Sequence, residues 1–274
     1  MTRQKGSILI FTLWILLILA ILSIALSRRA ASDVKLARHE SRSLKSTYLA
    51  RAGVMKMLTE IARDANSYDS LNEDWCRDEG DPKKLILRDD TVFYGASDED
   101  SRLNLNSSTL QEAQFTRLGM DGYIAGKILD YRNKKGAEGF EFIEELFLVE
   151  DMTREVFSLI RDSVTIHRGA DARVNINTAT EKVLYAVLGD RGLVQGVWEY
   201  RRGPDGNQGT EDDGIFRDAS DISMIAGLDP ALFSVRSSCF RIWAKSFFSE
   251  DKESFRGIEA VIDRTGRIYH WKEY

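Results

Sequence analysis

The chain has 274 residues, of which 43% are hydrophobic and 30% are charged, and its net charge is −5. This length is enough for one large or two small globular domains. The acidic balance gives no global indication of nucleic-acid binding, and three prolines are too few for a long proline-rich linker between domains.

The N-terminus combines a short basic leader, residues 1–6, with an apolar run over residues 8–26 that contains no charge. A run of this length spans a bilayer as one helix. An ordinary secretory signal has a shorter apolar stretch, and its small-residue cleavage site follows that stretch. Here the small-residue junction, Gly6-Ser7, precedes the run. The segment is therefore either a leader cut on the cytoplasmic side or an uncleaved signal anchor, and basic residues on both flanks leave its orientation open.

Helical periodicity continues beyond the apolar run and predicts one helix over residues 7–64. Its second half is amphipathic. We expect the first half to lie in lipid and the apolar stripe of the second half to pack on a globular body. The stripe consists of Val34, Ala37, Leu44, Tyr48, Ala52, Met55, Leu58 and Ala62.

Short strands are predicted on both sides of a long helical middle. Residues 84–97 contain two apolar runs around a turn at Asp89-Asp90, and residues 236–274 contain three, the last two joined by a turn at residues 263–266. One antiparallel sheet packed on the first helix, with a helical insertion, is the simplest assembly. The fold class is therefore α+β.

The middle of the chain contains an internal repeat with an offset of 71 residues. Residues 101–109 (SRLNLNSST) correspond to residues 172–180 (ARVNINTAT), and a Tyr-Arg pair follows in each copy. This predicts two helical units, residues 98–168 and 169–235. Ser108-x-x-Gln111 and Thr178-x-x-Glu181 fit capping boxes at the start of a helix.

The Asn-x-Asn-[Ser/Thr] start, with Tyr-Arg one helix later, resembles the helix-hairpin-helix-like units of two membrane-anchored families. One is the minor pseudopilin K family of the type II secretion system, and the other is the competence DNA receptor. A generic single-pass scaffold is a third reading.

The hairpin turns separate the first two readings. Hairpins that bind DNA need a tight turn, usually Gly-x-Gly, and nearby basic residues, because phosphate contacts supply most non-specific affinity. None of the four candidate turns, at residues 119–121, 150–152, 189–191 and 227–229, is Gly-x-Gly. Residues 98–235 contain 25 acidic and 15 basic residues, a net charge of −10 that repels a polyanion. We therefore expect no nucleic-acid partner.

The resemblance to the pseudopilin K family covers nearly the whole chain. It implies a pilin-like long helix on an antiparallel sheet, cleavage between Gly6 and Ser7 by a prepilin peptidase, and methylation of the new terminal amine. It also implies a single pass through the bacterial inner membrane at residues 8–26, with the body in the periplasm. Most pseudopilins carry Glu at the fifth mature position, which here is Phe11, and members of the K family resemble this chain in lacking that Glu.

A subunit without this carboxylate has no partner for the amine of a subunit above it. An insertion of about 130 residues would also crowd a stacked filament. Both features suggest a place at the pseudopilus tip, where the chain would start assembly and cap the filament. The implied partners are other minor pseudopilins, and secreted cargo or the outer-membrane channel is a further candidate.

We find no enzyme motif: the three histidines are scattered, and no phosphate-binding loop or nucleophile elbow is present. Residues 203–214 form a glycine-rich acidic loop whose hard oxygens suit calcium, although the spacing is not that of an EF-hand, and a solvated acidic loop is the alternative. The candidate ligands are Asp205, Asn207, Glu211, Asp212 and Asp213. Cys76 and Cys239 either pair in an oxidising compartment or stay free.

Overall fold

The computed structural model describes residues 5–136, 138–167, 173–247 and 254–274, with side chains from residue 8 onward. Strands and helices are numbered in chain order. The first element, helix α1, runs from Lys5 to Arg63. It contains no proline and a single glycine away from its start, Gly53, so little in its sequence interrupts the helix. At 1.5 Å per residue α1 is about 88 Å long.

Five antiparallel strands form the sheet, and they lie side by side in chain order. They are β1 (Lys83–Leu87), β2 (Asp90–Asp98), β7 (Cys239–Phe247), β8 (Phe255–Asp263) and β9 (Ile268–Glu273). The sheet is therefore a simple meander into which the helical middle is inserted between β2 and β7. This confirms the α+β, pilin-like class predicted from the sequence.

The membrane-distal half of α1 packs on the sheet through small residues. Ala50, Gly53 and Val54 are buried there, followed by Met57 and Ile61 one and two turns later. A Cβ placed on Gly53 would lie 2.8 Å from Val92 Cγ1 and 2.9 Å from Ala244 Cβ. The helix and the sheet therefore approach each other as closely as glycine permits.

This packing corrects the predicted orientation of the helix. The apolar stripe that we expected to face the body points mostly away from it: Val34, Leu44, Tyr48 and Met55 are exposed, and Leu58 is only partly buried. The buried face lies about half a turn away, since residues two positions apart on a helix differ by 200°. The sequence pattern identified an amphipathic helix correctly but assigned the wrong face to the sheet.

The insertion contains two helical units. The first comprises α2 (Glu112–Arg117), α3 (Gly122–Lys135), a 3-10 helix (Ile143–Leu148) and α4 (Arg154–Ile160). The second comprises α5 (Glu181–Leu188), α6 (Arg191–Arg202), α7 (Ala219–Ile222) and a 3-10 helix (Pro230–Leu232). Both share one hydrophobic core, separate from the core between α1 and the sheet. The predicted boundary between the units, at residues 168 and 169, lies outside the described residues.

The two units are closed by the same backbone device. In the first, β3 (Leu103–Asn104) pairs in parallel with β4 (Val164–Thr165). In the second, β5 (Val174–Asn175) pairs in parallel with β6 (Phe233–Ser234). Each unit thus begins with an extended Asn-containing stub that is held by the strand with which the unit ends.

The second asparagine of each Asn-x-Asn motif binds a distant backbone segment. Asn106 Nδ2 donates to the Phe140 carbonyl at 3.0 Å, and its Oδ1 accepts from the Phe140 amide at 2.7 Å. Asn177 forms the same pair with Phe216, at 2.8 and 2.9 Å. We call these pairs the asparagine clamps. The sequence repeat therefore corresponds to one structural unit used twice.

Candidate functional site

The predicted cleavage site lies at the start of α1. Residues 1–4 are outside the described residues, and Gly6 and Ser7 belong to the first helical turn. Within the described part of the chain, α1 is the one helix long and apolar enough to cross a membrane, judged by length and composition. Phe11 lies in its apolar part and is 67% exposed. Residues 8–42 are all exposed, so this half of α1 buries little of its surface against the described part of the chain.

The outward face of α1 carries exposed apolar side chains beyond the predicted membrane segment. Leu44 is 59% exposed and Tyr48 is 60% exposed. A shallow cavity of about 400 Å³ lies one turn closer to the membrane, where Val34, Ala37 and Ser41 form part of its lining. Contiguous exposed apolar surface of this kind usually marks a protein or membrane contact.

In two of the four candidate hairpin turns, one of the chain's own carboxylates accepts hydrogen bonds from the free backbone amides. Asp121 Oδ1 accepts from the Tyr123 amide at 2.8 Å at the start of α3. Asp190 Oδ1 accepts from the Gly192 and Leu193 amides at 2.7 and 3.1 Å at the start of α6. These are the free amides that would otherwise be available to a phosphate oxygen. Asp121, which stands where a Gly-x-Gly turn has its second glycine, and Asp190, at the middle position of its turn, therefore cap the helices themselves.

The arginines of the two Tyr-Arg pairs are also used inside the fold. Arg132 Nη1 donates to the Ser107 carbonyl at 2.5 Å, and Arg201 Nη1 donates to the Ala179 carbonyl at 2.6 Å. Arg201 is buried, with its guanidinium 5.5 Å from the centre of the Trp198 ring. In each unit the arginine therefore fixes the segment that follows the Asn-x-Asn motif and is not presented to a polyanion.

The predicted capping boxes are wrong in both units. The N-cap of α2 is Gln111, not Ser108, and the N-cap of α5 is Thr180, whose hydroxyl accepts from the Val183 amide. The hydroxyl of Thr178 instead donates to Asp98. The side chain that the local sequence predicted as a helix cap therefore forms a long-range hydrogen bond instead.

Three consecutive acids attach the insertion to the sheet. Asp98 Oδ2 accepts from Asn175 Nδ2 at 3.0 Å and from Ser237 Oγ at 2.5 Å. Glu99 Oε1 accepts from Thr165 Oγ1 at 2.7 Å, and Asp100 Oδ2 accepts from the Ser238 amide at 2.6 Å. We call Asp98, Glu99 and Asp100 the acidic joint. It connects the end of β2 to both helical units and to the segment that leads back into β7.

The carboxyl groups of the acidic joint differ in their pKa values. Burial and the neighbouring Asp100 raise the pKa of Asp98 to about 7. Burial alone would also raise the pKa of Glu99, but the Arg102 and Arg241 guanidiniums outweigh it and hold that pKa at about 2. Sequence reasoning did not identify this joint, because its partners lie far away along the chain.

A cleft of about 460 Å³ separates the first helical unit from the outer face of the sheet. Acidic and basic residues line this cleft, including Glu144 and Arg161 on the helical side and Lys272 on β9. His167 lies there with its ring 6.3 Å from that of His270. Burial, with a contribution from Arg241, lowers the pKa of His167 to about 4, so this histidine is neutral near neutral pH.

In the predicted calcium loop, several carboxylate oxygens accept hydrogen bonds from the loop's own backbone amides. Asp212 Oδ2 accepts from the Asp205 amide at 3.0 Å, Asp213 Oδ2 accepts from the Gly209 amide at 2.7 Å, and Asp205 Oδ1 accepts from the Asn207 amide at 2.7 Å. Glu211 is exposed. Calcium binding by this loop stays a prediction.

A different acidic group converges where α1 ends. Oxygens of Asp64, Asp69 and Glu73 lie within 4.8 Å of one another. Arg264 Nη2 approaches both Asp64 and Asp69, and Asp69 Oδ2 also accepts from the Ser237 amide at 2.7 Å. The Arg264 guanidinium therefore already pairs with this acidic group, and the group links the end of α1 to the β8–β9 turn.

Both cysteines are free thiols. Cys239 is buried at the start of β7, and Cys76 is partly buried beside β2. Burial is the main cause that raises the pKa of each thiol to about 12. The two thiols are therefore poor nucleophiles in the folded protein.

Comparison with solved structures shows a likeness over most of the chain. A chain of the GspK–GspI–GspJ complex of the Type 2 Secretion System from enterotoxigenic Escherichia coli superposes with a TM-score of 0.56 and 17% sequence identity. The match covers 89% of this chain and 97% of that chain. No family model matches the sequence, and no curated protein matches it either. The likeness establishes a shared fold, insertion included, with little sequence in common.

Proposed function

We propose that this chain is a K-type minor pseudopilin of a type II secretion system. The observation that supports it best is the shared fold, which extends over 97% of a chain from the GspK–GspI–GspJ complex of a Type 2 Secretion System. A sheet on a long helix occurs widely, but a meander interrupted between its second and third strands by two clamped helical units is a specific combination.

In this proposal α1 anchors the chain in the inner membrane through residues 8–26, and the body lies in the periplasm. A prepilin peptidase cuts between Gly6 and Ser7 and methylates the new amine. Mass analysis of the N-terminus after co-expression with the peptidase tests this step. We expect a chain that begins with N-methyl-Ser7, and Gly6→Ala should stay uncut. An intact Met1 terminus beside a correctly processed control pilin would reject the assignment.

The outward face of α1 is the surface we assign to the other minor pseudopilins of the tip. Apolar side chains such as Leu44 and Tyr48 would be covered by neighbouring helices, which explains why they are not used by the sheet. Co-purification with those pseudopilins from membranes tests the assignment. Tyr48→Asp should reduce recovery of the complex at least tenfold, the effect of losing one well-packed interface residue. Ile86→Asp, on exposed strand β1, is the matched control and should not.

The proposed tip location rests on Phe11 and on the bulk of the insertion. A subunit that lacks the usual carboxylate at this position has nothing to pair with the amine of a subunit above it. Immunogold labelling of pili formed with an epitope inserted after Gly206 would test the location. Label at one end supports the proposal, and label along the shaft contradicts it. Contacts of the insertion with cargo or with the outer-membrane channel belong to the same proposal.

Calcium at the loop of residues 203–214 is a separate part of the proposal. Titration calorimetry of the chain without residues 1–26 should show heat on calcium addition. The heat should be lost in Asp205→Ala with Asp213→Ala and kept in Asp162→Ala, an exposed acid elsewhere. Absence of heat in the parent protein would remove calcium from the proposal without affecting the pseudopilin assignment.

The alternative of a DNA-uptake receptor is disfavoured by the capped hairpins and by the acidic insertion. A gel-shift measurement at low salt separates the two functions, because phosphate contacts make binding strongly salt-dependent. We expect no shift of duplex DNA. We infer no catalytic activity, and the chain is itself the substrate of the peptidase.

A further inference from the structure

A continuous heptad pattern runs along the exposed face of α1, from the predicted membrane segment to the edge of the sheet. Steps of three and four residues alternate along this face, so that small or apolar side chains lie in one line on the helix surface. All of these residues are exposed. We call them the seam: Ala20, Ser23, Ser27, Ala30, Val34, Ala37, Ser41, Leu44 and Tyr48.

Most of the seam consists of alanine and serine. Small residues at the first and fourth positions of a heptad allow two helix backbones to approach closely, both in lipid and in water. The larger side chains Val34, Leu44 and Tyr48 come later along the seam, beyond the end of the apolar run. The seam ends before Arg51, the charged residue at the next fourth position of the heptad pattern. The Arg51 side chain donates a hydrogen bond to Glu273 of β9.

The charges beside the seam have opposite signs on its two flanks. Asp33 and Glu40 occupy the seventh position of successive heptads, and Arg38 and Lys45 occupy the fifth. In a parallel pair of helices, a seventh-position residue meets the fifth-position residue five places later on the other helix. Asp33 would meet Arg38 of a second copy, and Glu40 would meet Lys45. The chain is thus complementary to itself in parallel register.

We propose that two copies of this chain pair through the seam into a parallel homodimer. Anchoring by the same N-terminal segment gives both helices the same direction, as the charge pattern requires. Because the sheet packs on the opposite face of α1, the two bodies lie outside the pair and do not block it. Lys45, which is 61% exposed and bonded to Asp90 at 2.6 Å, would exchange that surface ion pair for one with Glu40.

This inference does not depend on the proposed function, since it uses only the anchored helix and its sequence. If the chain is a minor pseudopilin, the seam is shared with the outward face given to other pseudopilins. The homodimer and the tip complex would then exclude each other. The homodimer would be the form that the chain takes in the membrane before its partners arrive.

Disulfide trapping in the membrane tests the geometry. The full chain is produced in a bacterium without other pseudopilins, with one cysteine added at Ala30 or Ala37 on the seam, or at Lys35 or Leu36 off it. After oxidation with copper phenanthroline, we expect covalent dimer from the seam positions only. The parent protein, whose two natural thiols are buried or partly buried in the body, should stay monomeric. Equal cross-linking on and off the seam, or none at any position, would overturn the proposal.

Charge reversal tests the register. Glu40→Lys turns two attractive pairs of the dimer into repulsive ones, so we expect cross-linking through Ala37→Cys to fall roughly three- to tenfold. Lys45→Glu should act in the same way. The double variant, Glu40→Lys with Lys45→Glu, restores the pairs and should restore the cross-link. A double variant no better than the single ones would show that Glu40 does not meet Lys45.

Discussion

Asp98 is a fully buried carboxylate whose hydrogen-bond partners are all neutral groups, among them Asn175 and Ser237. Its pKa is raised to about 7, well above the value of about 3.9 expected in the unfolded chain. The folded protein therefore binds this proton more tightly than the unfolded chain does. The stability that the proton contributes is complete below pH 4 and is lost as the pH rises through 7.

Replacing Asp98 with asparagine removes that titration. We expect the difference in unfolding free energy between the parent protein and Asp98→Asn to fall as the pH rises from 4 to 7, by at most about 1.4 kcal/mol per pH unit. Urea unfolding at several pH values measures it, and using a difference cancels the opposite contribution of His167. Asp218→Asn, which keeps an exposed helix cap, should show no comparable trend. A pH-independent difference for Asp98→Asn would contradict the assignment.

Gly53 is placed where α1 touches the sheet. In an exposed helix, alanine in place of glycine stabilises by about 1 kcal/mol. Here the new methyl would lie 2.8 Å from Val92 Cγ1, so Gly53→Ala should instead destabilise by about 1–3 kcal/mol. Gly126→Ala in α3 is the matched control, because the nearest atom beyond its own helix backbone, Glu112 Oε2, would lie 3.9 Å from the new methyl. Thermal unfolding that ranks Gly53→Ala above the parent would show that the sheet does not sit this close.

The asparagine clamps make one prediction for whole elements. Asn177 is buried and pairs with both the amide and the carbonyl of Phe216, so Asn177→Ala leaves two buried backbone groups without partners. Each such group costs about 1–3 kcal/mol. We expect a loss of that order in chemical denaturation, and little change for Asn207→Ala, which is exposed. Equal stability of the two variants would mean that the clamp contributes nothing.

Helix α1 shows what sequence periodicity does and does not specify. The pattern gave the helix and its length, because both depend on neighbouring residues. It could not give the face, because the closest contact with the sheet is made by small residues such as Ala50 and Gly53, while large apolar side chains lie on both faces of the helix. The large side chains Leu44 and Tyr48 then remain exposed. The predicted helix cap at Thr178 is wrong for a different reason. Its hydrogen-bond partner, Asp98, is 80 residues away and cannot be seen in a local pattern.

For the whole molecule, the order of sheet, helical units and sheet could be predicted, because the repeat and the strand patterns are visible locally. The acidic joint could not. Asp98, Glu99 and Asp100 look like a solvated acidic run in the sequence, and only the assembled fold gives them partners from both units and from the sheet. The same holds for the surfaces of α1. Its apolar run is visible in the composition, whereas its outward face can be identified only once the sheet is seen to cover the opposite face.

The division of α1 into a bare half and a packed half predicts how the body responds to truncation. Residues 8–42 are exposed, whereas Ala50, Val54 and Met57 are completely buried against the sheet. Chains that begin at Ser27 and at Glu40 should therefore unfold within about 1 kcal/mol of each other, as expected for changes at exposed positions. A chain that begins at Leu58 loses three buried side chains, of which Met57 alone is worth about 2–5 kcal/mol, together with the helix backbone that covers the sheet, and should not fold. Urea denaturation monitored by tryptophan fluorescence compares the three. A large loss between the first two would show that the bare half contacts the body, and a folded third chain would show that the sheet does not need the helix.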